Sequence, residues 1–170
     1  MEKINILGFA ITRPEQELII MRGISGSGKS SIARKLVKGG SIHSTDELIE
    51  AEHDYDLFFQ SMKESGQYYP LVLLHSQNLK NATDDMYKGI SPVVIDNTNI
   101  FSSEIKVYVE AALKIGFDEK NIKFIEVGTG GKTAKVLSQR NSHGVPLDRI
   151  KEMIKDYKLS GTMTIEKVLG

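Results

Sequence analysis

No cysteine occurs among the 170 residues, which excludes disulfides and thiolate metal sites and fits a reducing compartment. Net charge is missing as well, because 22 basic side chains balance 22 acidic ones. That balance excludes a broad electrostatic footprint for long duplex nucleic acid, whereas gripping one strand end needs only a few local contacts. No apolar run approaches the ~18 residues of a membrane span. Met1-Glu2-Lys3-Ile4-Asn5 offers no apolar signal region, so a cytoplasmic protein without a membrane partner is expected. The chain has no internal repeat, low-complexity tract or linker. Histidines at 43, 53 and 75 have no metal-ligand spacing and are assigned no ligand role.

What remains is ordinary globular composition, 40% hydrophobic and 26% charged. A single domain over 1–170 is expected, large enough to bury about two thirds of its unfolded surface. Within it stands one specific motif, Gly23-Ile24-Ser25-Gly26-Ser27-Gly28-Lys29-Ser30, a complete G-x4-G-K-[ST] phosphate loop. Its context is right. Leu18-Ile19-Ile20-Met21 enters as an apolar strand, and Ser31-Ile32-Ala33-Arg34-Lys35-Leu36-Val37 leaves with helical periodicity. At such a junction, successive backbone N–H groups and a helix N-terminus converge on one anion. Residues Gly23 to Ser31 are therefore the expected ATP-binding set. Lys29 reaches the β- and γ-phosphates, and the Ser30 hydroxyl is a Mg²⁺ ligand.

Downstream, strands and helices alternate. Strands are expected at Ser41-Ile42-His43, Pro92 to Asp96 and Ile122 to Val127. Helices are expected from Ser44-Thr45-Asp46-Glu47, from Pro70 to about Lys88, from Ser103 to Ile115, through Lys132–Arg140, and finally from Leu147 to Tyr157. Lys3 to Ala10 reads as a strand and Thr12-Arg13-Pro14-Glu15 as a turn into the Leu18–Arg22 strand, giving an N-terminal β-hairpin. The aromatic stretch from Asp54 to Tyr69 reads as an irregular, mobile insertion. The pattern implies an α/β P-loop NTPase fold, a parallel sheet with helices on both faces and a mobile lid. Ligands of such sheets sit at the carboxyl ends of the strands.

Several candidates fall there. Asp96 ends a β-branched strand, where it caps the next turn or reaches Mg²⁺ through water. Asn97-Thr98-Asn99 follow, able to orient a substrate or to satisfy backbone donors. Asp46 is either part of a helix N-terminal signature or the carboxylate that accepts an alcohol's proton during phosphate transfer. Arg140, in a segment opened by Gly128 to Gly131, could deliver positive charge to the migrating phosphoryl group. Lys132 and Lys135 read as a solvated face. His143 contacts phosphate or supports the turn into Gly144-Val145-Pro146, and support is the simpler reading.

These blocks together, Gly23–Ser30, Ser44-Thr45-Asp46, Gly89 to Asn99 and Arg140 to Pro146, resemble the polynucleotide-kinase-like P-loop kinase family. Within it the likeness is closest to the predicted kinases related to a protein that binds a Nedd-type ubiquitin ligase, and more distant to phage polynucleotide kinase. The resemblance spans about Leu18 to Tyr157. It implies that Asp46 is the general base, Asp96 a second active-site acid, and Arg140 a lid arginine on the nucleotide phosphates. Two positions depart from the phage pattern. Ile49 stands where an arginine grips the acceptor phosphate, and His143 is nearest to a second lid arginine.

The expected activity is ATP- and Mg²⁺-dependent transfer of a γ-phosphate to a hydroxyl, foremost the 5′-hydroxyl of a polynucleotide. A small alcohol or a hydroxymethylated DNA base is the alternative acceptor, and an ATP-binding module with weak turnover is the alternative class. Five arginines are too few for a nucleoside monophosphate kinase that clamps two nucleotides, and no N-K-x-D motif supports a regulatory GTPase.

Overall fold

Leu18, Ile19, Ile20 and Met21 point alternately to two apolar faces, as a strand's period of two requires, and this alternation sets the architecture. The computed structural model describes residues 15–170 in full and the backbone of 4–6 and 9–11. The strands are β1 (Ile4–Ile6), β2 (Phe9–Ile11), β3 (Leu18–Gly23), β4 (Ser41–His43), β5 (Val93–Ile95) and β6 (Ile122–Val127). The helices are α1 (Lys29–Leu36), α2 (Thr45–Glu52), α3 (Tyr55–Ser65), α4 (Tyr69–Tyr87), α5 (Ser102–Ile115), α6 (Ala134–Arg140), α7 (Leu147–Ser160) and α8 (Ile165–Leu169). Strands β4-β5-β3-β6 form one sheet in that order, and every pairing is parallel. The α/β P-loop fold expected from the motif order is therefore the fold observed.

Leu18, Ile20, Val93 and Ile95 pack against Ala82 and Met86 of α4, Ile105 and Val109 of α5, and Val168 of α8. Ile19, Met21 and Val94 pack on the opposite face against Ala33 of α1. Burial on both faces explains why the strands are continuous apolar runs. A third cluster joins Ile24 of the phosphate loop to Leu137 of α6 and Ile150 of α7, so that loop is anchored in the helices beside it.

Three expectations need correction. The N-terminal hairpin is β1 with β2, registered Ile4↔Ile11, and it forms a separate two-stranded sheet. Leu18–Gly23 takes no part in it, because parallel neighbours occupy both of its edges. The expected turn at 12–14 lies outside the described residues. Second, most of the Asp54–Tyr69 stretch is helical. Asp54 Oδ1 accepts from the Leu57 amide at 3.0 Å, and Gly66 ends the helix at φ +67°. Tyr55, Phe58, Phe59 and Met62 stand at helical spacing, and Met62 is buried. Third, α7 is not the last helix. Thr164 caps a further one, α8, which closes over α5.

Tight backbone contact fixes the approach to the site. A Cβ at Gly40 would meet the Pro92 carbonyl oxygen at 1.8 Å, so the α1–β4 turn lies directly on the entry to β5. Gly40→Ala is expected to destabilise the protein by about 1–3 kcal/mol, as overpacking does. Urea denaturation of the two proteins checks it, and an unchanged midpoint would refute the contact.

Candidate functional site

Gly28 ends the phosphate loop in the left-handed region at φ +103° and serves as N-cap of α1. A glycine cap has no side chain to satisfy the first-turn amides, so they remain available to an anion. Gly26 (φ +77°) does different work, since a Cβ there would lie 2.1 Å from the Leu137 carbonyl oxygen. Helix α6 thus rests on the loop, which brings Arg140, one turn later, to the same cleft.

The cleft has a volume of about 420 Å³ and is lined by Ser25, Gly26, Gly28, Lys29, Ser30 and Ser31 from the loop and α1. Opposite them stand Asp46, Asp96, Asn97, Thr98 and Arg140. The remaining expected residues lie outside it. Ile24 is fully buried, and Gly23 donates its amide to the Thr98 carbonyl at 2.9 Å. Ser27 sits within the loop, with Oγ buried and without a partner among the described residues. Asn99, at φ +47°, turns its Nδ2 to the Met21 carbonyl at 2.8 Å, so it locks the strand end and does not line the cleft.

Lys29 is 8% exposed, and its Nζ donates to the Ile24 carbonyl at 3.1 Å. Burial pushes its ammonium below the ordinary value, against the pull of Asp96 and Asp46. A buried ammonium held by one carbonyl is a strong anion site. Asp96 is 7% exposed, and its Oδ1 has no hydrogen-bond partner among the described residues. Buried carboxylate oxygens are normally satisfied. Asp96 lines the same cleft as Ser30, and a carboxylate there is the donor chemistry that Mg²⁺ takes, with phosphate and water completing its shell. No group of three or more acidic, His or Cys side chains suited to a metal occurs among the described residues. A magnesium bound largely through nucleotide needs none.

Helix α2 presents Asp46 to the cleft. Ser44 is the N-cap, its Oγ accepting from the Glu47 amide at 3.4 Å. Asn97 Oδ1 accepts from the Thr45 amide at 2.9 Å, tying this helix to the end of β5. Thr45 and Ile49 face the interior, so Ile49 is buried and offers the cleft no side chain. Asp46 and Glu50, four residues apart, lie on one face and both line the cleft.

Asp46 is not alone. The Tyr55 hydroxyl donates to its Oδ1 at 3.1 Å, and His143 Nε2 stands 3.8 Å from its Oδ2. His143 Nδ1 meets Glu50 Oε1 at 2.7 Å, and its ring stacks on Tyr55 at 4.9 Å and 29°. Burial first, then Asp46, pushes the Tyr55 phenol well above its ordinary range, so it stays a donor. Asn141 also braces the turn into Gly144-Val145-Pro146. Its Oδ1 accepts from the Val145 amide at 2.7 Å, and its Nδ2 donates to the Ser138 carbonyl at 2.5 Å. Lys132 and Lys135 do not line the cleft.

Sequence reading missed Glu50, Tyr55 and Arg34. Helical spacing could have found two of them, since Glu50 is four residues from Asp46 and Arg34 four from Ser30.

Residues 18–159 match the model of a family described as AAA domain. NEDD4-binding protein 2 from Homo sapiens is 34% identical over 145 residues, covering 83% of this chain. The chain spans about 8% of that relative's length. No helix of the described residues is long and apolar enough to cross a membrane. Fold, phosphate loop and family match agree, and the chain belongs to the AAA domain family of P-loop nucleotide-binding proteins.

Proposed function

We propose that the protein is a phosphotransferase that moves the γ-phosphate of ATP to a hydroxyl. The observation that carries this reading is the half-buried Asp46 carboxylate in the same cleft as the phosphate loop, with Tyr55 fixing one of its oxygens. A pure NTP-binding module has no use for a carboxylate so placed. Phosphoryl transfer to an alcohol does, because the attacking oxygen must be aligned and lose its proton.

In this reading the first-turn amides of α1 and the Lys29 ammonium hold the β- and γ-phosphates. Ser30 and Asp96 would hold Mg²⁺, which supplies charge neutralisation on those phosphates. Arg140 stabilises charge on the migrating group from α6. Asp46 Oδ2, the oxygen not engaged by Tyr55, accepts the hydrogen of the incoming hydroxyl. The acceptor favoured by likeness to polynucleotide kinases is a 5′-hydroxyl end, and Arg34, a further cation lining the cleft, would meet the 3′-linked phosphate of its terminal nucleotide.

A second reading takes a small alcohol or a hydroxymethylated base. Two observations favour it: Ile49, at the position where the phage pattern has a phosphate-gripping arginine, is buried, and Glu47 and Glu50 put carboxylates on the acceptor side. The full chain with labelled ATP, Mg²⁺ and a panel of 5′-hydroxyl RNA, 5′-hydroxyl DNA, nucleosides and hydroxymethylated duplex decides. Label on strand ends is the expected result. Label only on the last two moves the acceptor to the second reading. ADP release that no acceptor stimulates would sink the kinase and leave a nucleotide-gated binding module.

A further inference from the structure

The loop after α6 carries an imidazole into the cleft, and nothing in the proposed chemistry has yet used it. His143 is held from three sides. Glu50 Oε1 lies 2.7 Å from Nδ1, the Tyr55 ring stacks on one face, and Asp46 Oδ2 stands 3.8 Å from Nε2. The next residue, Gly144 (φ +63°), passes so close to α3 that a Cβ would sit 3.2 Å from Asp56 Oδ1. The loop is therefore seated against α2 and α3 at the point where His143 enters.

A carboxylate only accepts hydrogen bonds, so the short contact to Glu50 assigns the ring proton to Nδ1. That leaves Nε2 as the acceptor nitrogen of the tautomer, 3.8 Å from the Asp46 oxygen that Tyr55 does not engage. A carboxylate orienting an imidazole so that its far nitrogen can take a proton is a recurrent base arrangement. The separation of 3.8 Å is about 1 Å beyond a hydrogen bond. A side-chain rotation closes it once Asp46 holds a proton to donate.

We infer that His143 is a further acid–base residue of the proposed transfer, the terminal acceptor of the hydroxyl proton. The inference rests on the kinase reading. As the acceptor oxygen bonds to the γ-phosphorus, its O–H bond breaks and the proton passes to Asp46 Oδ2. The bond from the γ-phosphorus to the bridging oxygen breaks in the same step, and its electron pair leaves with ADP. Asp46 then hands the proton to His143 Nε2 and is a carboxylate again. The imidazolium rests between Asp46 and Glu50 until water removes the proton. The other charged groups around it are Asp56 of α3 and, lining the same cleft, Glu47, Asp96, Arg34, Arg140 and Lys29. This gives Glu50 a purpose: it sets the tautomer.

The test uses the full chain in two measurements. Nitrogen-15 spectra of the His143 ring are expected to show Nδ1 protonated and Nε2 bare, with the tautomer reversed in Glu50→Gln, whose amide can donate to Nδ1. With the best acceptor, His143→Gly and Glu50→Gln are each expected to lose about 10²-fold in kcat, with KM for ATP within about twofold. Added imidazole should restore part of the rate to His143→Gly only. A His143→Gly protein of wild-type kcat, or one whose rate imidazole leaves unmoved, overturns the inference and makes His143 a latch for its loop. So does a ring protonated at Nε2 in the wild type. If the wild type phosphorylates no acceptor, the kinase reading itself falls, an outcome distinct from an active wild type with indifferent variants.

Discussion

Replacing Asp46 by asparagine is expected to lower kcat by about 10²–10⁴-fold while the dissociation constant for ATP stays within about twofold. Asparagine is nearly isosteric. It keeps an oxygen for the Tyr55 hydroxyl, which now donates to Asp46 Oδ1 at 3.1 Å, and it removes only the capacity to take a proton. The competing account is that Asp46 merely favours the start of α2. Ser44 is the residue that caps this helix, so Asp46 contributes there only through the helix dipole, about 0.3–1 kcal/mol. The two accounts therefore separate cleanly. Loss of a dipole partner shifts the unfolding midpoint slightly and leaves kcat alone. Loss of a proton acceptor does the reverse. ATP titration by calorimetry, alongside steady-state transfer with the best acceptor, reads both. A variant with wild-type turnover would remove Asp46 from the chemistry.

The sheet and the phosphate loop were legible because their signals are local. A four-residue apolar run before a glycine-rich loop and a helical period after it do not depend on distant partners, and Leu18–Gly23 and Lys29–Leu36 lie where those signals place them. Asp54 to Tyr69 failed for a different reason. Its cap, its αL glycine and its i, i+3, i+4 aromatics were all present, but a cluster of aromatics read as an insertion obscured the period. The hairpin failed because strand pairing is not local. Nothing in Leu18–Arg22 says that both its edges are taken by β5 and β6. The site divides in the same way. Asp46, Lys29 and Arg140 could be named from motifs, whereas the Glu50–His143 contact joins residues 93 apart and depends on how the α6–α7 loop packs on α2. Asn99, read as orienting a substrate or satisfying backbone donors, is spent on a backbone carbonyl that only the folded strand end brings within reach.

Glu126→Ala is expected to destabilise the fold by about 3–5 kcal/mol, because it strands a charge in the interior. Arg22 and Glu126 are register partners on β3 and β6, and Arg22 is fully buried. Its Nη1 lies 2.6 Å from Glu126 Oε2, its Nη2 donates to the Ile100 carbonyl at 2.9 Å and to the Ser160 hydroxyl, and the guanidinium stands 4.3 Å over the Tyr157 ring. Glu126 is the one carboxylate recorded against it among the described residues, and it also accepts from Tyr157 at 2.6 Å and from the Met163 amide at 3.0 Å. Removing it leaves one cation and two donors unmatched, next to the strand that carries the phosphate loop. At this chain length the loss corresponds to a fall in Tm of roughly 10 °C. Arg22→Met combined with Glu126→Leu should recover the part due to the stranded cation, since a buried pair is costly to break and cheap to replace by apolar packing. Acid supplies an independent check. Burial alone would raise the Glu126 carboxyl, but donation from Tyr157, the Met163 amide and Arg22 outweighs it and holds the group below its ordinary value. A depressed folded value stabilises above the unfolded carboxyl range, about pH 4, and that contribution fades as pH falls through the folded value. The stability gap between wild type and Glu126→Ala should therefore be widest near neutrality and narrow below about pH 4. A gap that stays constant on acidification would mean that the carboxylate's charge is not what holds Arg22.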